Sequence, residues 1–254
     1  MLKRSIACGR CENAISPGPV QRVFHGGVSW QNKHQNGGNM AEIKVLAFDL
    51  DGTLIDSAPD IADATNATLV ALGAAPLAED AIRAMIGDGA VTLLQRALAA
   101  AKLDLPLNEV LPGFQARYGE AATNRTRLYP GVAETLEILS RAGYRLGICS
   151  NKPSGPARQV LAHFDIARFF PCVIGGDSLP QRKPAPEPLW AMIEALGGIA
   201  DNAVMIGDSA NDLLCAQAAK VRSIIIPAGY GKPAERADLT LARFEELPAA
   251  LARF

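Results

Sequence analysis

A short apolar segment that ends in two aspartates constrains this chain more than any other feature. Residues 45–48 are apolar, and Asp49 and Asp51 follow before a Gly52-Thr53 turn. A carboxylate at the carboxyl end of a buried strand lies where an open α/β sheet binds its ligands. Side chains two residues apart on an extended segment point the same way, and Gly52 permits a sharp turn. Two carboxylates so close repel each other, so the segment predicts a divalent metal, covalent aspartyl chemistry, or both.

Polar residues also follow three later apolar segments. The segments cover 146–149, 172–174 and 204–206, and the polar residues after them are Ser150, Asn151, Lys152, Lys183, Asp208 and Asp212. Right-handed crossovers bring the carboxyl ends of parallel strands to one edge of the sheet. We therefore expect these sequence-distant side chains to converge with the two aspartates.

Strands and helices alternate along most of the chain. The sequence predicts strands at 43–48, 144–149, 172–174, 203–206 and 222–226, with helices near 131–142, 154–164, 186–197 and 210–219. Such alternation favours an α/β fold, a doubly wound parallel sheet of the Rossmann-like kind with helices on both faces. Between the first two strands, residues 58–128 break the pattern and are helical by composition, near 60–72, 79–86, 90–102 and 108–122.

The four polar segments, in order, resemble the four motifs of the haloacid dehalogenase-like hydrolase superfamily, and most closely its phosphoglycolate phosphatase branch. The matching stretches are residues 48–57, 150–152, 183–189 and 207–212, within a resemblance that runs from about Lys44 to the end of the chain. The resemblance implies a small α-helical cap domain at 58–128, inserted into an α/β catalytic core at 41–57 and 129–254. Hinges are expected near 56–59 and 128–131.

The two aspartates of the first motif have distinct expected roles. Asp49 is the candidate nucleophile, because an attacking carboxylate divides phosphate ester hydrolysis into two easier steps through an aspartyl phosphate. Asp51 is the candidate general acid and base, which protonates the leaving alkoxide and then activates water. The acid at this place also separates the phosphatases from the family's dehalogenases, which lack it.

The remaining motif residues are expected to bind metal and phosphate. The expected metal ligands are Asp49, Asp208 and, by resemblance, the main-chain carbonyl of Asp51, an oxygen set that suits Mg²⁺. The expected phosphate-binding residues are Ser150, Asn151 (through its backbone) and Lys183, with the role of Lys152 left open. Two residues are candidates for supporting roles, Asp212 and Thr53. Asp212 could hold a metal-bound water or orient Lys183.

The cap is expected to select the substrate. Residues 86–90 resemble the glycine-containing cap loop of phosphoglycolate phosphatases, and a glycolate carboxylate requires a cation or backbone N–H groups nearby. Five arginines are available, without a reason to choose among them: Arg83, Arg96, Arg117, Arg125 and Arg127. One local departure is Lys220, which stands where relatives usually have a glycine to end a helix, so it must adopt a left-handed conformation or a different stop.

These features predict a Mg²⁺-dependent phosphatase of a small phosphorylated metabolite, with 2-phosphoglycolate as the expected substrate. Three alternatives stay open. One is a phosphatase of a sugar phosphate or pyrophosphate, another is a phosphomutase with the same two aspartates, and the third is a non-catalytic protein that keeps the fold for binding.

Composition excludes several other classes. A net charge of -1 gives no basic surface for a nucleic acid, and the apolar runs are too short and broken to span a membrane. Five cysteines in 254 residues favour a reducing compartment, so we expect a cytoplasmic monomer or homodimer.

The first 40 residues differ in character from the rest. They contain five basic residues and one acidic residue and are expected to be a disordered extension, with Met40 as a second candidate start. Cys8, Cys11, His25 and His34 match no common zinc-site spacing.

Overall fold

A six-stranded parallel sheet forms the centre of the protein in the computed structural model, which describes residues 42–227, 229–230 and 237–254. The expected disordered extension and the zinc-site residues lie outside the described residues. The strand order is β5-β4-β1-β6-β7-β8. The strands are β1 (Val45–Phe48), β4 (Arg145–Cys149), β5 (Cys172–Ile174), β6 (Ala203–Gly207), β7 (Arg222–Ile225) and β8 (Leu239–Thr240).

Helices cover both faces of this sheet. Alternate strand residues bury on opposite sides: Phe48 packs in one apolar cluster and Ala47 in the other. The first face carries α5 (Val132–Arg141), α6 (Ser154–His163) and α9 (Leu247–Leu251), and the second carries α7 (Glu187–Ala195) and α8 (Ala210–Ala219). The predicted doubly wound α/β fold is confirmed, while β8 and α9 were not predicted.

Four helices follow the first motif. They are α1 (Ala58–Ala71), α2 (Glu79–Arg83), α3 (Ala90–Ala100) and α4 (Leu107–Ala121). Helix α2 ends at Arg83, three residues before the predicted end at 86. The chain turns there toward Gly87, whose φ of +122° is incompatible with a helix. The division of the chain into core and cap stays a prediction.

A two-stranded antiparallel sheet, absent from the sequence prediction, joins the two connections to this helical segment. It pairs β2 (Ile55–Asp56) with β3 (Arg127–Leu128). The buried Asp60 carboxylate reinforces the junction, because it accepts hydrogen bonds from the backbone N–H of Arg125 and from the N–H and hydroxyl of Thr126. Strands of two residues are too short to give a periodic signal in the sequence.

None of the helices in the described ranges is both long and apolar enough to cross a membrane.

Candidate active site

Three motif residues lie at the ends of adjacent strands. Asp49 follows β1, Ser150 follows β4 and Asp208 follows β6. The sheet ladder extends to the first two, because Asp49 N–H donates to the Ile206 carbonyl at 2.9 Å and Ser150 N–H to the Ile174 carbonyl at 3.0 Å. All three side chains are buried. The fold therefore brings them together at one sheet edge, as the sequence predicted.

Lys183 lies between two of the acidic side chains. Its Nζ is 2.9 Å from Asp49 Oδ1 and 2.6 Å from Asp212 Oδ1. Burial raises the pKa of Asp49 to about 6, against the opposing effect of the Lys183 cation. Burial by itself would lower the pKa of Lys183, but Asp212 and Asp49 outweigh it and hold that pKa well above its ordinary value. Lys183 therefore stays charged beside the candidate nucleophile.

Asp208 is fixed by contacts from two separate segments. Oδ1 accepts a hydrogen bond from Thr53 Oγ1 at 3.2 Å, and Oδ2 accepts one from the backbone N–H of Tyr230 at 2.8 Å. Gly52, at φ +93°, approaches so closely that a Cβ there would lie 2.4 Å from Asp208 Oδ2. The turn after β1 thus requires glycine both for its conformation and for its space.

The described residues contain a group of carboxylates that could hold a metal ion. Oxygens of Asp49, Asp208 and Asp212 lie within 4.8 Å of one another. Asp49 Oδ1 is buried and has no aligned hydrogen-bond donor, although the Lys183 cation lies 2.9 Å from it. A buried carboxylate oxygen that lacks an aligned donor can take a metal ion as a further partner. The site has the hard oxygen donors that Mg²⁺ prefers.

Asp212 is largely occupied by other partners. Oδ2 accepts hydrogen bonds from the Ser209 hydroxyl at 2.7 Å and from the backbone N–H groups of Ser209 and Asp208, which caps α8. Oδ1 binds Lys183. Of its two expected roles, this contact favours the orientation of Lys183, and the role itself stays a prediction.

Asp51 turns toward a different lysine. Lys152 Nζ lies 2.8 Å and 3.1 Å from the two oxygens of Asp51, and Ser57 donates its hydroxyl hydrogen bond to Oδ1. The same Nζ is 2.5 Å from the hydroxyl of Tyr118 on α4. Burial lowers the pKa of Lys152, but Asp51 and Tyr118 raise it more, so the pKa lies above its ordinary value. The sequence left Lys152 open and missed Ser57 and Tyr118.

Two asparagines bind the loop at residues 86–90, the predicted cap loop. Asn151 Nδ2 donates to the carbonyls of Gly87 at 3.1 Å and Lys183 at 3.0 Å. Asn211 Nδ2 donates to Asp88 Oδ1 at 2.6 Å and more weakly to the Gly87 carbonyl. Asn151 thus has a side-chain role in addition to the backbone role that the sequence suggested.

A cavity of about 380 Å³ lies beneath this loop. Its floor includes Asp49, Asp51, Ser150 and Lys152, and its walls are mainly apolar. All five candidate arginines are absent from its lining. They instead bind acidic side chains or backbone carbonyls: Arg83 with Asp56, Arg96 with Asp88, Arg117 with Gly113, Arg125 with Asp63 and Arg127 with Thr126.

Tyr230 joins the Asp208 carboxylate to the entrance of the helical segment, and the sequence analysis missed it. Its N–H binds Asp208, while its hydroxyl donates to Asp56 Oδ1 at 2.8 Å and accepts from the backbone N–H of Ala58 at 2.9 Å. Arg83 covers its ring at 5.2 Å. A tyrosine in a glycine-containing loop just beyond β7 lies at the same sheet edge as the motifs, and this position could have identified it.

Comparison with known proteins agrees with this geometry. The sequence pattern of the haloacid dehalogenase-like hydrolase family matches residues 46–226. The chain belongs to this family. It is 41% identical over 210 residues to a phosphoglycolate phosphatase of Rhodospirillum rubrum, a match that covers 80% of this chain and 87% of the relative. A phosphoglycolate phosphatase of Colwellia psychrerythraea is 42% identical, with 75% and 87% covered.

The fold also matches that of a solved structure. The crystal structure of a predicted phosphoglycolate phosphatase from Haemophilus somnus superposes with a TM-score of 0.79 at 33% identity, over 84% of this chain and 99% of that one. The predicted family and the predicted class of enzyme, a phosphoric monoester hydrolase, are thereby confirmed. The roles of the individual site residues stay predictions.

Proposed function

We propose that this protein hydrolyses 2-phosphoglycolate to glycolate and phosphate. The observation that carries the proposal is the placement of Asp49 and Asp51 in the lining of one small cavity, with a charged lysine beside each. At about 380 Å³ the cavity lies near the lower end of the range for ligand pockets, which suits a small substrate. The relatives' name supplies the substrate.

The first chemical step is an attack by an Asp49 carboxylate oxygen on phosphorus. The bond from phosphorus to the ester oxygen breaks, and Asp51, which must carry a proton at the start of this step, gives it to the leaving glycolate oxygen. Lys183 and Ser150 stabilise the charge on the transferring phosphoryl oxygens, because both lie against Asp49 at the sheet edge. The product of this step is an aspartyl phosphate on Asp49.

The second step returns the enzyme to its starting state. Asp51, now a carboxylate, takes a proton from water as that water attacks the phosphorus of the aspartyl phosphate. Inorganic phosphate leaves and the Asp49 carboxylate is restored. The burial of Asp49 limits the access of other water to the intermediate.

Mg²⁺ is the proposed cofactor. Asp49, Asp208 and the main-chain carbonyl of Asp51 would hold it. When bound, the ion shields the negative charge between nucleophile and phosphate.

Phosphate release tests this function. The substrates are 2-phosphoglycolate, sugar phosphates and pyrophosphate, each with Mg²⁺ and with EDTA. We expect Mg²⁺-dependent turnover with a strong preference for 2-phosphoglycolate. A preference for another member would overturn the substrate, and transfer of phosphate to a second sugar position without release would indicate a mutase.

The expected cytoplasmic location and monomeric or homodimeric state also stay proposals, and size-exclusion chromatography with light scattering tests the latter.

A further inference from the structure

The cavity contains one basic side chain among the described residues that line it. That residue is Lys152, since neither Lys183 nor any of the candidate arginines lines the cavity. The walls near it are apolar and include Ile61, Ile86, Leu93 and Phe114. A negatively charged substrate tail in this space has a single favourable direction, toward Lys152.

We propose that Lys152 and Tyr118 together form the subsite that recognises the carboxylate of the substrate. The proposal rests on the proposed function and names the residues that determine its specificity. Lys152 comes from the loop after β4 and Tyr118 from α4, so the subsite is made of one residue from each side of the cavity.

The geometry of this pair suits an anion. The Lys152 side chain is only 3% exposed, and its Nζ lies 4.7 Å from the centre of the Tyr118 ring as well as 2.5 Å from its hydroxyl. The hydroxyl accepts a hydrogen bond from Lys152, which leaves its own hydrogen to be donated into the cavity. The three hydrogens of Lys152 Nζ already face the two Asp51 oxygens and the Tyr118 hydroxyl, so Lys152 attracts an arriving carboxylate by its charge. Tyr118 supplies the hydrogen-bond donor, which the neighbouring cation strengthens.

The position of the subsite matches the length of the substrate. In 2-phosphoglycolate the carboxyl carbon is two bonds from the ester oxygen that accepts the proton from Asp51. Lys152 Nζ lies 2.8 Å from the Asp51 carboxylate, so a carboxylate two bonds from an ester oxygen held at Asp51 is within reach of Lys152. A longer tail would carry its charge past this cation toward the apolar wall.

A comparison of two substrates in variants of these residues tests the proposal. Ethyl phosphate has the same oxygen–carbon–carbon skeleton as 2-phosphoglycolate but lacks the carboxylate. We expect Lys152→Gln to reduce the ratio of kcat/KM values, 2-phosphoglycolate over ethyl phosphate, by about tenfold or more, the usual effect of losing a hydrogen bond to a charged group. Tyr118→Phe, which keeps the ring and the lysine, should reduce the same ratio by a smaller factor.

Arg117→Met is the matched control. Arg117 is next to Tyr118 on α4, but its side chain binds the Gly113 carbonyl and does not line the cavity. Its loss should leave the ratio unchanged. Melting curves show whether each variant is folded, and Tyr118→Phe keeps the test valid if Lys152→Gln does not fold.

The outcomes separate this inference from the proposed function. If the wild type itself does not prefer 2-phosphoglycolate to ethyl phosphate, the proposed substrate is wrong and the subsite with it. If the wild type has the preference and both variants keep it, with the two substrates slowed equally, Lys152 only supports Asp51 and the inference alone is overturned.

Discussion

At the scale of single residues, the site is a set of buried charges whose signs alternate. Lys183 separates Asp49 from Asp212, and Lys152 binds Asp51 on the other side. Buried ions are costly unless they are paired, so each lysine compensates for an acid that the chemistry requires. The burial that raises the pKa of Asp49 is part of the same arrangement.

Asp49→Asn should abolish turnover while the protein stays folded. The amide has the shape of the carboxylate but cannot attack phosphorus, so we expect phosphate release to fall by at least about a thousandfold. The melting temperature should not fall, because the change removes a charge that burial disfavours.

Asp63→Asn is the control, since Asp63 forms an exposed ion pair with Arg125, and this variant should have normal turnover. Turnover of Asp49→Asn within tenfold of wild type would contradict the assignment of the nucleophile.

Mg²⁺ should stabilise the folded protein through Asp208. A ligand that binds only the native state stabilises it by about 2.7 kcal/mol when its concentration is a hundred times its Kd. Saturating Mg²⁺ should therefore raise the melting temperature, and EDTA should reverse the rise. Asp208→Asn should lose most of this shift, although an amide oxygen can still accept from Thr53 or Tyr230. The measurement is a thermal melt in both conditions.

Asp201→Asn is the control for this measurement, since Asp201 is exposed and precedes β6 at the opposite edge of the sheet. It should keep the full Mg²⁺ shift. An undiminished shift in Asp208→Asn would mean that the ion binds elsewhere.

At the scale of elements, strand ends and helix caps position the chemistry. α8 begins at a capping box in which Ser209 and Asp212 bind each other's backbone N–H, and this fixes the Asp212 carboxylate beside Lys183. The same helix ends at Lys220, which takes the left-handed conformation (φ 57°, ψ 40°). Of the two outcomes that the sequence allowed there, the structure adopts the strained one.

Lys220→Gly should therefore stabilise the protein. Glycine adopts the left-handed conformation without the clash of a Cβ, and we expect a gain of about 0.5–1 kcal/mol in the free energy of unfolding after its larger chain entropy is counted. Urea denaturation measures it. Lys220→Ala keeps the Cβ and should bring no such gain. A loss of stability in the glycine variant would show that the lysine side chain makes a stabilising contact.

At the scale of the whole molecule, the helical segment meets the core at several distant points. Asn151 and Asn211 hold the cap loop, Lys152 reaches Tyr118, and Tyr230 connects Asp208 to the entrance of α1. Each contact joins a residue of the sheet edge to a residue of the helical segment or its entrance. The shape of the cavity therefore depends on how the two parts dock.

Asn211→Ala should impair catalysis more than stability. The change removes the hydrogen bonds to Gly87 and Asp88, so the loop should cover the cavity less well, and we expect kcat/KM for 2-phosphoglycolate to fall about tenfold. The free energy of unfolding should change by only about 1 kcal/mol, the low end for two hydrogen bonds, since both are partly exposed and one is long. Steady-state kinetics and urea denaturation measure the two effects.

Asn124→Ala, an exposed asparagine at the end of the helical segment, is the control and should leave the kinetics unchanged. Wild-type kinetics in Asn211→Ala would show that the loop does not need this anchor.

The sequence by itself determined the sheet and the acidic residues at its edge. Apolar segments followed directly by Asp49, Ser150 and Asp208 indicate buried strands with polar ends, and parallel strands place those ends together whatever the details of packing. The family follows from the same short motifs. These features are local, so they can be recognised without knowledge of contacts.

Only the tertiary structure decided which groups surround the reaction. Tyr118 lies in an apolar helical stripe that is typical of a core position, yet its hydroxyl meets Lys152, which is 34 residues away. Tyr230 meets Ala58 across 172 residues, and the candidate arginines all bind outside the cavity. Such pairs leave no periodic or local pattern in the sequence, because their contact depends on how the helical segment docks on the sheet.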